Sequence, residues 1–355
     1  MISGTRLIIW NLRGTGLDKI VKSGVSQILK NIENQFENLN ILVTGGAGFL
    51  GSWLCDTLIQ LHANVLCLDN LASGLEENIN HLKDKDNFTF VKHDISTPFY
   101  PQYKIDLIFH FASRASPFEF SKYPIQILKA NTLGTWVVLG ITKKHKATLL
   151  YASTSEIYGN PDDNNIPTTE EYHGNVNPIG PRACYDEAKR AGEAFAMAYL
   201  LQHNLDIRII RIFNTYGPRM RPGNLYGRVI PIFITQALSG KDITVFGDGS
   251  QTRSFTYVSD EIEGILKASI SKKCKGKVLN LGNNTEITIL ELAKKIRKLT
   301  NSTSKITFHP LPIDDPRRRC PDISKAKTLL NWIPRISLDT GLKNTIEWFK
   351  LQNKS

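Results

Sequence analysis

Six strand-length apolar runs that alternate with helical segments constrain the fold of this 355-residue chain more than any other feature. They lack the polar alternation of a strand that has one face in water. Such strands are typical of a parallel sheet that helices cover on both faces. The runs are ILVT (41–44), NVLCLD (64–69), FTFVKHD (88–94), DLIFHFA (106–112), TLLYAS (148–153) and DIRIIRIF (206–213). We therefore predict an α/β fold with a doubly wound parallel sheet.

Changes in composition and in the length of the predicted elements along the chain predict its domains. Residues 1–38 carry apolar side chains at helical spacing, which predicts an amphipathic helix that leads straight into the first strand. After Asn214, glycine and proline become frequent and the elements become short, which indicates a smaller α/β C-terminal lobe. Helical patterns near 259–269, 289–300 and 338–351 suggest that the chain returns to the sheet and leaves it again. The predicted parts are an N-terminal extension (1–38), a nucleotide-binding domain (39–215, with 255–282 returning to it) and a substrate-binding lobe (216–254 and 283–351).

Composition excludes several classes of protein. Lys and Arg number 44 against 33 Asp and Glu, a net charge of +11, but the basic clusters are scattered and lack interleaved aromatic residues. Nucleic acid is therefore not the predicted partner, whereas a positive field would gather a small anionic substrate. No apolar stretch approaches the roughly 20 residues of a membrane span. Five cysteines without a CxxC pair or a metal-ligand spacing predict reduced thiols, no metal site and a cytoplasmic location.

The segment VTGGAGFLG predicts a dinucleotide site. It places Gly45, Gly48 and Gly51 between the first strand and a helix, where glycine permits a tight turn and the helix N-terminus faces a diphosphate. The second strand ends in Asp69, 18 residues after Gly51, where a carboxylate can accept both ribose hydroxyls of NAD. The same carboxylate would repel the additional phosphate of NADP, and no basic residue follows it. The pattern therefore favours a Rossmann-type domain that binds NAD.

Further candidate cofactor contacts lie in this loop and at the ends of later strands. Asp94 and Ala112 with Ser113 are natural contacts for the adenine and for the middle of the cofactor. Turn chemistry at a strand end explains Asp94 equally well. The remaining candidates are Phe49, Leu50, Asn70, Ile95 and Ala152.

Tyr185 and Lys189 are the candidate catalytic pair. Four residues apart on a helix, they share one face. A free tyrosine titrates near pH 10, and a fixed cation beside it would lower its pKa and make it a proton acceptor. This spacing alone more often marks a solvated helix face. The glycine loop upstream and the polar cluster 153–156 favour the catalytic interpretation, in which the pair also contacts the cofactor.

Five motifs in order resemble the extended short-chain dehydrogenase/reductase family of nucleotide-sugar enzymes. They are GGAGFLG, HFAS, ASTSEIYG, YDEAK and RIFNTYGPR. Within that family, NPIGPRACYDEAKR, FGDGSQTRSFTYVSD and DDPRRRCPDISKAK resemble the branch that decarboxylates UDP-glucuronate. The similarity extends from about Ile41 to Phe349, so residues 1–38 lie outside it.

The resemblance implies NAD-dependent, redox-neutral conversion of UDP-glucuronate to UDP-xylose. Tyr185, polarised by Lys189 and the nicotinamide, would take the proton of the sugar 4-hydroxyl, and Thr154 would bond the same oxygen. The resulting UDP-4-keto intermediate is a β-keto acid and loses carbon dioxide, after which C5 takes a proton and hydride returns to C4. Family members are usually homodimers through a helix pair that would include the Tyr185 helix. Whether UDP-xylose or the 4-keto pentose leaves the enzyme stays open.

Ser155 and Glu156 separate the subclasses of this family. Related 4,6-dehydratases carry Thr-Asp-Glu here, whereas this chain has Thr154, Ser155 and Glu156 and lacks the acid, so dehydration is disfavoured. Simple 4-epimerases need no acid or base at C5, so Glu156 favours chemistry beyond C4. The alternative is a carboxylate that only accepts bonds from loop amides.

The resemblance also implies substrate contacts, in which guanidinium groups suit phosphate and carboxylate. For the diphosphate and the sugar the candidates are Asn214, Arg228, Gln251, Arg253, Tyr257 and Arg319, and Lys129 is a candidate for the sugar carboxylate. The chain departs from the decarboxylase pattern at Arg114, where proline is common, and at Cys320, where lysine is common. Arg114 adds a charge near the pocket and leaves the fine substrate preference open.

Two other functions compete with decarboxylation. One is a UDP-sugar 4-epimerase or another nucleotide-sugar-modifying relative. The other is a non-catalytic NAD or nucleotide-sugar binding protein. Intact Tyr185, Lys189, Thr154 and Glu156 count against a pure binder, which needs no matched base and cation.

Overall fold

The structure is a computed structural model that describes residues 16–32, 35–221, 228–312 and 315–352. Residues 1–15 of the predicted extension, and the glycine and proline residues at 222, 223 and 227, lie outside the described residues. The strands are β1 (Asn40–Thr44), β2 (Asn64–Asp69), β3 (Phe88–Lys92), β4 (Leu107–His110), β5 (Thr148–Thr154), β6 (Asp206–Ile212), β7 (Thr215–Tyr216), β8 (Ile243–Phe246), β9 (Thr252–Ser254), β10 (Thr256–Tyr257), β11 (Val278–Leu281), β12 (Glu286–Thr288), β13 (Ile306–His309) and β14 (Arg318–Arg319).

The helices follow the strands in the alternation that the sequence predicts. They are α1 (Gly16–Leu29), α2 (Phe49–Gln60), α3 (Pro124–Asn131), α4 (Leu133–His145), α5 (Ala183–His203), α6 (Val229–Leu238), α7 (Val258–Ile270), α8 (Ile289–Leu299), α9 (Ser324–Leu330) and α10 (Leu338–Gln352). No helix in the described ranges combines the length and the apolar character needed to cross a lipid bilayer.

A seven-stranded parallel sheet forms the centre of the molecule and confirms the predicted fold class. Its order is β3-β2-β1-β4-β5-β6-β11, and each of the six predicted runs holds one of β1 to β6. The strands run parallel throughout, with Val278 of β11 opposite Ile209 of β6 at one edge. The strand order changes direction between β1 and β4, which is where ligands bind in sheets of this kind.

Two apolar cores cover the two faces of this sheet. On one face, Trp53 of α2 and Ile265 of α7 are fully buried. On the other, Val138 of α4 and Ala196 of α5 are fully buried. Because both faces are dry, the strands carry continuous apolar runs, which is why the sequence predicts them well.

The N-terminal helix α1 packs on the body of the protein but ends earlier than predicted. Val21, Val25 and Ile28 are buried in the core shared with α2, α7 and α10. The prediction that this helix leads straight into the first strand is wrong, because α1 ends at Leu29 and β1 begins only at Asn40. After α1 the chain turns, and the side-chain amide of Asn31 donates to the carbonyl of Gln27 and to the carboxylate of Glu263.

The C-terminal lobe consists of short strand pairs and helices. β8 pairs with β13, and β9 lies between β12 and β14. Thr288 and Glu291 form a reciprocal capping box at the start of α8, which is the local signal that begins this helix. The boundaries assigned to the lobe from the sequence stay a prediction, as does the exact extent of the nucleotide-binding domain.

A buried carboxyl group near the start of α7 makes the stability of the fold dependent on pH. Glu261 is fully buried, and neither of its carboxylate oxygens has a hydrogen-bond partner among the described residues. Burial raises the pKa of Glu261 to about 8, although the neighbouring Thr215 acts in the opposite direction. In the unfolded chain a glutamic acid titrates near pH 4.3. The folded chain therefore keeps a proton that the unfolded chain releases.

We predict that the stabilising contribution of protonated Glu261 is complete below about pH 4.3 and is lost as pH rises towards 8. Between those limits it should fall by about 1.4 kcal/mol per pH unit. The thermal unfolding midpoint of Glu261→Gln should therefore depend less on pH than that of the unchanged protein between pH 5.5 and 8. The exposed Glu347→Gln on α10 is the matched control. Parallel pH profiles of Glu261→Gln and the unchanged protein would contradict the prediction.

Candidate active site

A cavity of about 500 Å³ lies beyond the carboxyl ends of the central strands and reaches into the C-terminal lobe. It brings together nearly all the candidate residues that the sequence indicates. Those that line it are Gly45, Gly48, Phe49, Leu50, Gly51, Asp69, Asn70, Asp94, Ile95, Ala112, Ser113, Ala152, Thr154, Ser155, Glu156, Tyr185, Lys189, Asn214, Arg228, Gln251, Arg253 and Arg319. Their individual roles stay predictions, but they share one cavity.

Two candidate substrate residues are not brought to this cavity. Lys129 is exposed in the last turn of α3, and Gln126, three residues earlier, lines the cavity instead. Tyr257 is buried in the core, where its ring lies 5.6 Å from that of Tyr216. The predicted substrate contacts of Lys129 and Tyr257 are therefore not supported. Tertiary packing decides which face of a short helix is exposed and how deeply an aromatic ring is buried, and a local pattern does not show either.

The glycine loop has the shape that a diphosphate needs. Gly45 has a φ of +74°, and a side chain there would lie 2.7 Å from the amide nitrogen of Ala112. A side chain at Gly51 would lie 2.1 Å from the carbonyl oxygen of Gly45. Helix α2 begins directly after Gly48 without a side-chain cap, so its first amides remain available to an anion. The residues present fit a dinucleotide.

Asp69 both faces the cavity and holds the glycine loop. Its carboxylate accepts hydrogen bonds from the backbone amides of Ala47 (3.0 Å) and Leu71 (2.8 Å). Burial nevertheless raises the pKa of Asp69 above its usual value. Asp94 also lines the cavity. Its carboxylate accepts hydrogen bonds from Ser96 and from Asn70, so this residue stabilises the turn at the strand end as well as facing the cavity.

Lys189 lies one helical turn after Tyr185 on α5, as the spacing predicts, but it does not bond the phenol. Its ammonium group donates to the carbonyl oxygen of Ala152 at 2.7 Å. Burial lowers the pKa of Lys189 to about 7, against the raising effect of Glu193. The Tyr185 ring stacks on Phe120 with its centroid 5.1 Å away, which fixes the plane of the phenol.

The expectation that Lys189 lowers the pKa of Tyr185 stays a prediction, but other causes raise this pKa in the free protein. Burial raises the pKa of Tyr185 above 10, and the charge of Glu156 raises it further. A hydrogen bond with Thr154 acts in the opposite direction but is the weaker effect. A positive charge in the cavity, such as that of an oxidised nicotinamide ring, would oppose both raising effects. The charge of Arg228 also lowers the pKa of the phenol, and a further cation in the cavity would lower it more.

Glu156 lies between two arginines that no local pattern predicts as its partners. Arg182 and Arg319 form ion pairs with its two carboxylate oxygens. Arg319 also donates to the Ser155 hydroxyl (3.3 Å) and to the carbonyl of Gly159 (3.2 Å). Burial alone would raise the pKa of Glu156, but the two guanidiniums hold it well below its usual range. The carboxylate is therefore paired with arginines rather than with loop amides, and it stays ionised.

Arg182 and Asp186 are residues of the site that the sequence analysis misses. Arg182 lines the cavity, and its Nε atom lies 3.6 Å from the Asp186 carboxylate one turn further along α5. Burial and the charge of Glu156 raise the pKa of Asp186 to about 7. Their i, i+4 spacing around Tyr185 is a signal that could have indicated the pair. The arginine therefore connects a fully ionised carboxylate with one that titrates near neutral pH.

Arg228 is a cation of the cavity lining without a hydrogen-bond or ion-pair partner among the described residues. Among the described residues no side chain or carbonyl bonds its guanidinium, whereas the neighbouring Arg253 pairs with Asp315 at 3.0 Å. Burial lowers the pKa of Arg228. Because a half-buried charge without a counterion is unfavourable, this group points to an anionic ligand. No cluster of metal-ligating side chains is present among the residues that the structure describes.

The fold and the site define a nucleotide-binding protein of the Rossmann type with a tyrosine and a lysine at its centre. The chain belongs to the NAD dependent epimerase/dehydratase family, whose sequence profile matches residues 41–282, and its cofactor is NAD. UDP-glucuronic acid decarboxylase 1 of Danio rerio is 48% identical over 309 residues, which are 87% of this chain and 72% of the relative. UDP-glucuronic acid decarboxylase 6 of Arabidopsis thaliana is 43% identical over 91% of this chain and 92% of its own length.

A solved structure of a different activity is also similar. UDP-glucuronic acid 4-epimerase from Bacillus cereus, solved in complex with UDP-glucuronic acid and NAD, is 30% identical to this chain. The match has a TM-score of 0.78 and covers 88% of this chain and 100% of the epimerase. The fold alone therefore does not decide between the two reactions.

We predict that Asp69→Ala weakens NAD binding about tenfold or more, because a charged hydrogen-bond acceptor is lost. Binding of NADP should weaken less, because the carboxylate no longer repels the additional phosphate. Calorimetric titration with both cofactors measures the two effects, and the exposed Asp84→Ala is the matched control. Collapse of the glycine loop would weaken the binding of both cofactors equally. An equal loss, or none, would refute the ribose contact.

Proposed function

We propose that this protein is a UDP-glucuronate decarboxylase that forms UDP-xylose and carbon dioxide through a UDP-4-keto intermediate. The observation that carries the proposal is the juxtaposition, in one cavity, of Tyr185 and Thr154 with the ionised cluster of Glu156, Arg182 and Arg319. The names of the relatives with 42–48% identity agree with it. The same comparisons favour an enzyme over a non-catalytic binding protein.

The nucleotide end of the substrate requires cations that are not already paired. Arg228 offers an uncompensated guanidinium, and Asn214 and Gln251 also line the cavity. A diphosphate is the multiply charged group that such a site would hold, since guanidinium and phosphate match in geometry and charge. Binding there would orient the sugar towards Tyr185.

At the sugar, Tyr185 accepts the proton of the 4-hydroxyl group, and Thr154 hydrogen-bonds the same oxygen. Bound NAD, held by the glycine loop and Asp69, would supply the acceptor and then the donor of the C4 hydride, so the cycle would have no net oxidation. Thr154 lies near enough to the phenol to lower its pKa in the free protein, so both hydroxyls can reach the same substrate oxygen. Lys189 donates to the Ala152 carbonyl, and both residues line the cavity, which places the ammonium where it can contact the cofactor.

With a ketone at C4 and a carboxylate at C6, the oxidised sugar is a β-keto acid. Loss of the carboxylate as carbon dioxide leaves an electron pair shared between C5 and the C4 carbonyl group. Arg319 and Arg182 add positive charge at the Ser155 end of the cavity, which stabilises this enolate. The electron pair then takes a proton from solvent water at C5. In the free protein Glu156 is ionised, so we assign it to positioning the two guanidiniums and to accepting rather than supplying protons.

Epimerisation at C4 is the second candidate, because the related epimerase of Bacillus cereus is solved with UDP-glucuronic acid and NAD. It would use Tyr185 and Thr154 in the same way but would release the hexuronate intact. The presence of Ser155 and the doubly paired Glu156 beside Tyr185 favours decarboxylation.

The protein should release one carbon dioxide per UDP-glucuronate without net NADH, and Tyr185→Phe should lower this turnover by at least about 10²-fold while NAD binding is retained. The variant loses only the proton acceptor, and its ring can still stack on Phe120. Gas release and the nucleotide sugar product are measured together. UDP-galacturonate without gas would assign the protein to the epimerases, and normal turnover of the variant would remove Tyr185 from the mechanism.

Glu156→Gln should slow carbon dioxide release more than oxidation at C4, because Arg182 and Arg319 lose the carboxylate that positions them towards the enolate. NADH should then accumulate during turnover, and its absorbance measures the imbalance. Glu187→Gln, on α5 and outside the cavity, is the control. Normal carbon dioxide release without NADH would show that Glu156 serves only the structure of the loop.

We also propose a homodimer, formed through the helices that surround Tyr185. Helices α3, α4 and α5 expose large apolar side chains, namely Ile125, Leu128, Leu133, Trp136, Phe195 and Leu201. Exposed apolar surface of this extent is typical of an interface. Light scattering that gave the mass of one chain would overturn this proposal. All five cysteines are free, and the cytoplasmic location inferred from them stays a prediction.

A further inference from the structure

The segment between β4 and α3 carries an ion pair that lies in the wall of the cavity. Arg114, the residue that departs from the decarboxylase pattern, pairs with the Glu119 carboxylate at the end of the short helical turn Pro117–Glu119. Its guanidinium also lies over the Tyr123 ring, 4.2 Å from the centroid. The side chains of Arg114 and Glu119 are only 16% and 9% exposed. The charge that Arg114 adds to the pocket is therefore already compensated.

Glu119 also acts on Arg228, the unpaired cation of the same cavity. Burial lowers the pKa of Arg228, and the negative charge of Glu119 acts against this effect, as does Tyr185. The two groups are thus within electrostatic reach, yet no ion pair joins them within the described residues. Glu119 is bound to Arg114 instead.

A buried carboxylate that loses its cation is strongly unfavourable and will pair with another one within reach. Without Arg114, Arg228 is a cation of the cavity lining that the charge of Glu119 already reaches. Lys122, 5.3 Å from the centroid of the Tyr123 ring, is another cation near this loop, but it does not line the cavity. Such a pair would occupy the guanidinium that an anionic ligand needs. A ligand would then have to break an existing ion pair before binding.

We propose that Arg114 is a positioning residue for substrate binding, which holds Glu119 and thereby keeps the Arg228 guanidinium available for the diphosphate of a nucleotide sugar. This inference rests on the proposed function only for the class of ligand. It assigns a role to a side chain at which this chain departs from the pattern of the family. Arg114 acts through Glu119 and does not itself contact the ligand.

The test is calorimetric titration of the NAD-loaded protein with UDP, which requires no turnover. Arg114→Ala should weaken UDP binding about tenfold or more, approaching the loss caused by Arg228→Ala. Arg114→Ala combined with Glu119→Gln should restore binding to near the original affinity, because no carboxylate remains to capture Arg228. Arg114→Lys should retain most of the affinity. Arg335→Ala removes an arginine that pairs with Glu263 far from the cavity and is the matched control.

Two results would overturn the inference. One is unchanged UDP affinity in Arg114→Ala. The other is a double variant that binds UDP as weakly as Arg114→Ala. That result would mean that UDP affinity depends on the shape of the loop and not on its charge. Thermal unfolding of each variant shows whether the loop variants stay folded. Normal UDP titrations without carbon dioxide release from UDP-glucuronate would count against the proposed reaction and leave this inference intact.

Discussion

The ion pairs of Glu156 with Arg182 and Arg319 are the interaction on which the site depends. Glu156 follows β5 of the central sheet, Arg182 precedes α5, and Arg319 lies in β14 of the C-terminal lobe, 163 residues after Glu156. The carboxylate therefore joins the sheet, the helix that carries Tyr185 and the smaller lobe at one point. Because the charges are largely buried, removing any one of them would leave an uncompensated charge in the cavity.

This arrangement also sets the state of the catalytic tyrosine. The charge of Glu156 raises the pKa of Tyr185, as burial does, while Lys189 donates to a backbone carbonyl. The phenol is therefore a poor base until positive charge arrives in the cavity. The charge of an oxidised nicotinamide would oppose both effects, so we expect proton transfer to Tyr185 to depend on oxidised NAD. The same cluster that organises the site thus restricts when it can react.

Sequence analysis predicts the parts of this protein that depend on local pattern. The strands β1 to β6, the glycine loop and the one-turn spacing of Tyr185 and Lys189 follow from runs, turns and periodicity. What it misses depends on contacts between distant segments: the end of α1, the exposed position of Lys129, the buried position of Tyr257 and the partners of Glu156. The pKa of Tyr185 belongs to the second group, because burial and a carboxylate from another element determine it.

Isotope incorporation tests the central claim, decarboxylation through a 4-keto sugar, most directly. The protein is incubated with UDP-glucuronate in D₂O, and the nucleotide sugar is analysed by NMR. Loss of carbon dioxide and protonation of the enolate place one solvent deuterium at C5, whereas the hydride that returns to C4 is the original protium. The account therefore predicts a UDP-pentose with one deuterium at C5 and none at C4. A UDP-hexuronate without deuterium, or a pentose with deuterium at C4, would contradict it.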